Sequence, residues 1–297
     1  MRQSSDLKIS VSSRFVAFAL AALVACAALL APALAGAQSV SDLRQQLHKP
    51  VPGGVAVLAV MARDQSPTPP VVMFDNQRVL VMSDDQSWWA VVGIPITQTP
   101  GTAMLEVQAA AKVATVSFNI EPYQYGKQHI TLKNRAMVTP PPEILARIAA
   151  ELEEQIKGYQ VYSERTPSNL IFDPPVKGRK SSPFGLQRYF NGEPRNPHSG
   201  LDFAAPTGTP VRSPADGRVI LIGDYYFNGL TIFIDHGHGV ISMFCHLSQI
   251  NHLPGDEVKR GDIVAAVGNT GRSTGPHLHW NVSLNNARVD PALFLRR

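Results

Sequence analysis

Residues 210–250 read PVRSPADGRVILIGDYYFNGLTIFIDHGHGVISMFCHLSQI and contain three runs that are apolar or alternate between apolar and polar residues. Turns that contain glycine or proline separate these runs, a pattern typical of short β-strands. Two further runs, DIVAAVG (262–268) and HLHWNVSL (277–284), have the same character. No stretch of helical periodicity of any length occurs from Val176 onward, so residues 176–297 are predicted to form a β-rich domain.

The chain before this region also has strand patterns. Between Gly53 and Leu132 there are six or seven short β-branched or aromatic runs with turn residues between them. Their number and spacing predict a small immunoglobulin-like β-sandwich, which we assign to residues 38–134. Adjacent residues of a strand point to opposite faces, so Trp88 and Trp89 are expected to place one ring in the core and one on the outer face.

A helical connector, residues 135–175, is predicted between the two β-rich regions. Three consecutive prolines precede a stretch from Glu143 to Lys157 with helical periodicity, and Gly158 is expected to end the helix. The apolar residues that share one face of this helix are Ile144, Leu145, Ile148, Leu152 and Ile156. The polar segment that follows, up to about residue 175, is predicted to be a linker.

The N-terminus is predicted to be a secretory signal peptide over residues 1–37. Residues 1–14 are polar with a net positive charge, Phe15–Ala37 has no charged residue, and small residues provide an A-x-A cleavage site. Two alternatives remain: the apolar run is long enough to stay in the membrane uncleaved, since about 20 residues span a bilayer, and Cys26 lies in a sequence that resembles a lipoprotein box. All three possibilities place the body in the periplasm or cell envelope, with membrane contact only if the segment is uncleaved or Cys26 is lipidated.

Composition excludes several classes of protein. With 44% hydrophobic and 17% charged residues, the chain is neither a disordered polymer nor a coiled coil. Two cysteines cannot form a disulfide scaffold or a Cys-rich zinc finger. The formal charge of +4 falls to +2 without residues 1–37, and no basic block alternates with aromatic residues, so nucleic acid is not expected as a partner.

Histidine is the residue type whose distribution points to chemistry. Seven of the nine histidines lie between His198 and His279; His198 and Asp202 form an H-x-x-x-D unit, and His277 and His279 form an H-x-H unit at the start of a strand. Residues two apart in a strand share a face at a separation of about 6.6 Å, so both imidazoles point to one place. His198, Asp202 and one member of the H-x-H pair would supply three ligands, the number found in catalytic zinc sites with an open fourth position. The other member and His246 are then candidates for the base and the oxyanion stabiliser, because no H-E-x-x-H motif supplies a glutamate.

Other arrangements of reactive residues are less favoured. His236 and His238 form a second H-x-H, but glycines on both sides predict a hairpin in which the imidazoles are exposed or bonded to the backbone. Neither Ser199 nor Ser273 lies in a G-x-S-x-G nucleophile elbow. Cys245 precedes His246 in a strand, so its thiol is expected to point away from that ring and into the core.

Several motifs occur together in an order that resembles the M23 metallopeptidases, the LytM or lysostaphin-type family. They are SPFG (182–185), PHSGLD (197–202), GTPV (208–211), CHLS (245–248) and GNTGRSTGPHLH (268–279), within a match from about Val176 to the C-terminus. The upstream region is similar to the β-sandwich domain that precedes this peptidase in some Gram-negative members. The resemblance implies a compact antiparallel β peptidase domain with its site in a groove.

The resemblance also implies roles for particular residues. It implies that His198, Asp202 and His279 bind Zn²⁺, and that His246 and His277 are the catalytic pair. The implied function is that of an exported zinc metalloendopeptidase, acting on peptide stems and cross-links of peptidoglycan. The alternative is a non-enzymatic LytM-type activator of a cell-wall amidase, but such members have lost zinc ligands, and all five positions are intact here.

Overall fold

The computed structural model describes residues 38–110 and 112–296 of the chain. The predicted signal peptide, residues 1–37, lies outside the described residues. None of the helices in the described part is both long and apolar enough to cross a membrane.

The N-terminal region is a β-sandwich preceded by a short helix, α1 (Val40–Leu47). Its seven strands are β1 (Val55–Ala62), β2 (Val71–Phe74), β3 (Gln77–Arg78), β4 (Leu80–Ser83), β5 (Ser87–Gly93), β6 (Gly101–Ala109) and β7 (Lys112–Ile120). They form two antiparallel sheets, with the orders β1-β5-β4 and β3-β2-β6-β7. Trp88 is buried in the sandwich core, whereas Trp89 points to the other face, as the alternation predicts. The predicted small β-sandwich is confirmed.

A strand and a long helix connect the sandwich to the C-terminal region. These are β8 (Lys127–Ile130) and α2 (Pro142–Tyr159), so the helix continues one residue past Gly158. Gly158 packs closely: a Cβ there would lie 3.2 Å from Leu221 Cδ2 and 3.3 Å from Phe233 Cδ1. The predicted apolar face of α2 is only partly covered: Leu145, Leu152 and Ile156 are 52%, 53% and 42% exposed.

The C-terminal region contains one large antiparallel sheet of ten strands and two strands of a small separate sheet. Its strands are β9 (Arg179–Ser182), β10 (Gln187–Phe190), β11 (Glu193–Pro194), β12 (Leu201–Ala204), β13 (Pro210–Arg212), β14 (Gly217–Tyr225), β15 (Gly229–Gly237), β16 (Val240–Ile250), β17 (Glu257–Val258), β18 (Ile263–Val267), β19 (His277–Leu284) and β20 (Ala287–Val289). The main order is β17-β14-β15-β16-β19-β12-β9, with β13, β18 and β20 attached to it. Strand β10 lies in a separate small sheet, where it pairs with β11 and, in parallel, with β8. The mainly β, antiparallel fold class is confirmed.

One apolar core extends from the sandwich into the C-terminal region. Leu43 and Leu47 of α1 belong to the same cluster of buried side chains as Phe172, Trp280 and Phe294. Polar contacts reinforce this junction: Asn285 Oδ1 accepts a hydrogen bond of 2.6 Å from the Gly93 amide, and Asn285 Nδ2 donates one of 2.9 Å to the Gly93 carbonyl. The domain boundaries at residues 134 and 175 stay predictions. Buried side chains of this one core lie on both sides of each boundary.

We predict that a fragment of residues 176–297 folds alone but is less stable than residues 38–297. It keeps all strands of the large sheet but loses the α1, β1 and Phe172 side chains that cover the shared core. Each buried apolar side chain contributes about 1.5–3 kcal/mol, so we expect the midpoint of thermal unfolding to fall by at least about 10 °C. Circular dichroism melts of the two chains would measure this; a fragment without a cooperative transition would contradict the boundary at 175.

Candidate metal centre

Three buried side chains meet where β12 pairs with β19. Asp202 and His279 are directly opposed in the antiparallel register, and His198 lies in the loop that leads into β12. Asp202 Oδ1 is 2.7 Å from His279 Nδ1 and 3.0 Å from His198 Nε2, and these two nitrogens are 3.0 Å apart. Gly200 makes this approach possible, because a Cβ there would lie 2.8 Å from His279 Nε2. Among the described residues, this is the only group of three or more His, Cys, Asp or Glu side chains placed to hold a metal ion.

The outer nitrogens of the two imidazoles are occupied by hydrogen bonds that fix their tautomers. His198 Nδ1 donates to the Pro183 carbonyl oxygen at 2.7 Å. His279 Nε2 donates to Asn281 Oδ1 at 2.9 Å, and Asn281 Nδ2 in turn donates to the Ser199 carbonyl oxygen. His198 therefore presents Nε2, and His279 presents Nδ1, as an unprotonated nitrogen toward Asp202.

The convergent atoms make a donor set that fits a cation. Burial lowers the pKa of His198 to about 4, so this imidazole is neutral near pH 7. With the outer nitrogens protonated, two nitrogen lone pairs and a carboxylate oxygen face one another without a proton to share. Two imidazoles and one carboxylate, all buried, are a ligand combination typical of catalytic zinc sites.

The second oxygen of Asp202 is held by an arginine. Arg188 Nη2 donates to Asp202 Oδ2 at 3.1 Å, and Arg188 Nε donates at the same distance to Gln128 Oε1. Gln128 lies on β8 and Arg188 on β10, so the parallel pairing of these strands supports the contact. Arg188 thereby leaves Oδ1 as the oxygen that faces the imidazoles.

The other two candidate residues, His246 and His277, lie beside this group. Their ring centroids are 4.8 Å apart, and the centroid of His246 is 6.0 Å from that of His279. His246 Nδ1 donates to the Thr270 carbonyl oxygen at 2.8 Å, and His277 Nδ1 donates to the Gly275 carbonyl oxygen at 2.9 Å. His277 Nε2 lies 3.9 Å from Asp202 Oδ1. Both rings therefore keep Nε2 available.

Cys245 is buried next to His246, as expected for a core residue. Burial, with the nearby negative charge of Asp202, raises the pKa of its thiol well above the ordinary value. His246 itself has a φ of 61°, in the left-handed region. The thiol therefore stays protonated at neutral pH, which argues against a Cys–His nucleophile.

An open cleft of about 810 Å³ gives access to four of the five residues. Asp202, His246, His277 and His279 are among its lining residues, whereas His198 is buried and does not line it. The lining also includes Leu145 and Leu152 of α2. Part of the apolar face of α2 therefore lines this cleft.

The second H-x-H unit lies elsewhere. His236 is fully buried, donates from Nδ1 to the Asp216 carbonyl oxygen at 2.9 Å, and has its Nε2 2.9 Å from Ser242 Oγ. His238 occupies the turn between β15 and β16 with a φ of 47° and stacks on Tyr162. Neither takes part in the metal-binding group among the described residues, in agreement with the structural role expected for this pair.

Three residues that were not predicted from the sequence orient Asp202 and His279. Arg188, Gln128 and Asn281 each contact a candidate ligand or the residue that holds it. Asn281 could have been found, because it continues the H-x-H spacing by two further residues on the same strand face. Arg188 and Gln128 are 60 residues apart and meet only through strand pairing, so no local pattern indicates them.

Comparison with known proteins agrees with both regions of the fold. A family model described as peptidase family M23 matches residues 196–291, and one described as the peptidase family M23 N-terminal domain matches residues 48–122. A crystal structure assigned to peptidase M23 from Pseudomonas aeruginosa is 48% identical, covers 85% of this chain and 97% of its own, and superposes with a TM-score of 0.72.

Two curated relatives are similar over part of the chain. The DD-carboxypeptidase/endopeptidase Mpg of Neisseria meningitidis is 41% identical over 132 residues, which are 44% of this chain and 30% of the relative. The peptidoglycan DD-endopeptidase ShyB of Vibrio cholerae is 44% identical over 94 residues, 32% of this chain and 22% of the relative. The chain thus spans less than a third of the length of these relatives.

We predict that Asn281→Ala weakens zinc binding by about 10- to 100-fold, because His279 loses the acceptor that fixes its tautomer. Competition with a chromophoric chelator would measure the affinity of the purified variant. Asn285→Ala is the matched control: it also removes a buried asparagine, but one that bonds Gly93 instead of a histidine. Asn285→Ala should lower stability and leave zinc affinity unchanged; equal affinities in all three proteins would contradict the prediction.

Proposed function

Because the chain belongs to peptidase family M23, we propose that it is an exported zinc metalloendopeptidase that hydrolyses peptide cross-links of peptidoglycan. The single observation that carries the proposal is the convergence of His198, Asp202 and His279, with His246 and His277 beside them in an open cleft. The activities named for the Neisseria and Vibrio relatives support this substrate. Peptidoglycan lies outside the cytoplasmic membrane, which fits the predicted export signal and a periplasmic or envelope location.

His198 Nε2, His279 Nδ1 and Asp202 Oδ1 would hold the ion in this proposal. Zinc in such a site supplies Lewis acidity, which polarises the scissile carbonyl and makes a water molecule more acidic. Arg188 keeps Asp202 oriented from its outer oxygen, and the hydrogen bonds of His198 and His279 keep both rings in the tautomer that presents an unprotonated nitrogen.

His246 and His277 would perform the proton transfers. Each ring donates from Nδ1 to a backbone carbonyl oxygen, so each Nε2 can accept a proton from the attacking water. A ring protonated at Nε2 can then donate to the tetrahedral oxyanion or to the leaving amine nitrogen. The backbone acceptors at Thr270 and Gly275 hold the rings in place.

The alternative is a non-enzymatic activator of a cell-wall amidase. A module that only binds a partner has no use for five aligned zinc-site residues, and burying such polar groups without a function is costly. The intact set therefore favours the enzyme. Membrane association belongs to the proposal only if the N-terminal segment remains uncleaved or Cys26 carries a lipid.

We predict that ligand and catalytic variants separate metal binding from activity. His198→Ala and Asp202→Ala should lose zinc, whereas His246→Ala and His277→Ala should keep it and lose activity by about 100-fold or more. His252→Ala is the matched control, because His252 pairs with Asp256 and does not line the cleft. Elemental analysis and turnover would be measured on each protein. If His277→Ala loses as much zinc as His279→Ala, the assignment of His279 as the ligand and His277 as the catalytic residue would be contradicted.

The decisive test of the function is digestion of purified sacculi by residues 38–297 loaded with zinc. We expect soluble muropeptides cut within the peptide, with an unlinked stem still attached to N-acetylmuramic acid as the diagnostic product by mass spectrometry. A chelator should stop the reaction, and added zinc should restore it. If the sacculi stay intact and a separately added amidase is stimulated, the peptidase hypothesis is contradicted and the amidase-activator hypothesis is supported.

A further inference from the structure

The lining of the cleft has an excess of positive charge. Among its described lining residues are four arginines, Arg188, Arg195, Arg272 and Arg288, but only two carboxylates, Glu151 and Asp202. Both carboxylates are already engaged: Asp202 by Arg188 and two imidazoles, and Glu151 by Arg147. A ligand that brings negative charge would therefore be favoured in this cleft.

Arg272 is a lining arginine whose guanidinium is held in place by aromatic rings. Its guanidinium carbon lies 4.5 Å from the ring centroid of Phe190 and 4.2 Å from that of Phe227, so the group is held against two aromatic rings. Within the described residues, its side chain makes one hydrogen bond, a long contact of 3.4 Å from Nη1 to the Met137 carbonyl oxygen. Within residues 38–110 and 112–296, no carboxylate lies within ion-pair distance of Arg272, whereas Arg195 is paired with Glu193.

The surroundings of Arg272 leave its charge uncompensated. Burial, followed by the positive charges of Arg188 and Arg195, lowers its pKa to about 10, so the group stays protonated at neutral pH. A partly buried cation that has lost water and has no counter-charge is a binding site for an anion. The rigid guanidinium fork matches the two oxygens of a carboxylate in particular.

Arg272 also lies on the loop that supports both candidate catalytic histidines. Thr270, two residues before it, accepts the hydrogen bond from His246, and Ser273, directly after it, has its Oγ 3.1 Å from His277 Nδ1. A group bound by Arg272 is therefore expected to be adjacent to the bond that these histidines act on. The anionic group of the substrate nearest to the scissile bond is the relevant ligand.

We propose that Arg272 binds a free carboxylate on the residue that follows the scissile bond. Arg272 thereby selects peptides in which the carbon attached to the scissile nitrogen carries that carboxylate. This inference rests on the proposed function and specifies its substrate. A D-alanyl–diaminopimelate cross-link carries such a carboxylate, and so does a stem that ends in D-alanyl-D-alanine. An internal glycine bridge does not, so Arg272 favours the direct cross-link.

The test compares two cross-linked muropeptide dimers that differ only at this carboxylate, which is free in one and amidated in the other. Residues 38–297 with zinc should cleave the free-acid dimer with a kcat/KM about 10- to 100-fold higher, the range expected for a charged hydrogen bond. Arg272→Gln should cleave both dimers at the rate of the wild type on the amidated dimer, and Arg272→Lys should keep part of the preference. Retained cleavage of the amidated dimer would also show that the variants are folded.

Arg63→Gln is the matched control, since Arg63 also stacks on an aromatic ring, 4.2 Å from the centroid of Trp88, but does not line the cleft. It should keep the full preference for the free acid. The inference is overturned if the wild type shows no preference for the free-acid dimer, or if Arg272→Gln retains that preference. Cleavage of both dimers would still support the proposed function.

If neither dimer is cleaved, a binding measurement still tests the carboxylate site at Arg272 separately from the peptidase activity. Calorimetry of both dimers with His246→Ala and with His246→Ala/Arg272→Gln requires no turnover. Tighter binding of the free acid, lost in the double variant, would support the carboxylate site even where the absence of cleavage refutes the peptidase. Equal binding of both dimers would refute the carboxylate site.

Discussion

The pairing of β12 with β19 is the constraint on which the rest of the structure depends. In this register Asp202 is opposite His279 and Ala204 is opposite His277, so one face of the two strands carries the polar groups. On the other face Leu201 is opposite Trp280 and Phe203 is opposite Leu278, and all four are buried in the core. A slip of one residue would exchange the faces, placing imidazoles and a carboxylate in the apolar core. The packing of large apolar side chains thus fixes the register, and the register brings the candidate ligands together.

Hydrogen bonds to three loop carbonyl oxygens and to Asn281 hold the four imidazoles in place. The carbonyl oxygens of Pro183, Thr270 and Gly275 each accept a hydrogen bond from one imidazole, and Asn281 accepts from the fourth. Each ring therefore has its outer nitrogen satisfied, which lowers the cost of burying it and leaves one nitrogen directed toward the centre. The same contacts restrict rotation of the rings, so the arrangement is preorganised before any ligand binds.

The sequence predicts the parts of this arrangement that depend on local periodicity. Alternation identifies the strands and the opposite orientations of Trp88 and Trp89, and the two-residue spacing identifies the shared face of His277 and His279. Helix α1 was missed, because its eight residues carry only three buried side chains and its stability comes from the core it covers. The apolar face of α2 was identified, but periodicity does not reveal what covers a face, and here part of it lines a cleft. Contacts such as Gln128 with Arg188 depend on parallel strand pairing across 60 residues, which no short motif encodes.

These contacts bear on how much of the chain the chemistry requires. All five candidate residues lie after residue 175, and a fragment beginning there would contain every motif of the peptidase. That fragment would lack Gln128, which holds Arg188 on the outer oxygen of Asp202, and it would lack α2, which lines part of the cleft. Arg195 and Arg272 also donate to the carbonyl oxygens of Val138 and Met137, in the segment just before α2. The residues before 175 therefore shape both the candidate metal centre and the proposed carboxylate site, so the complete cleft needs the connector as well as the peptidase motifs.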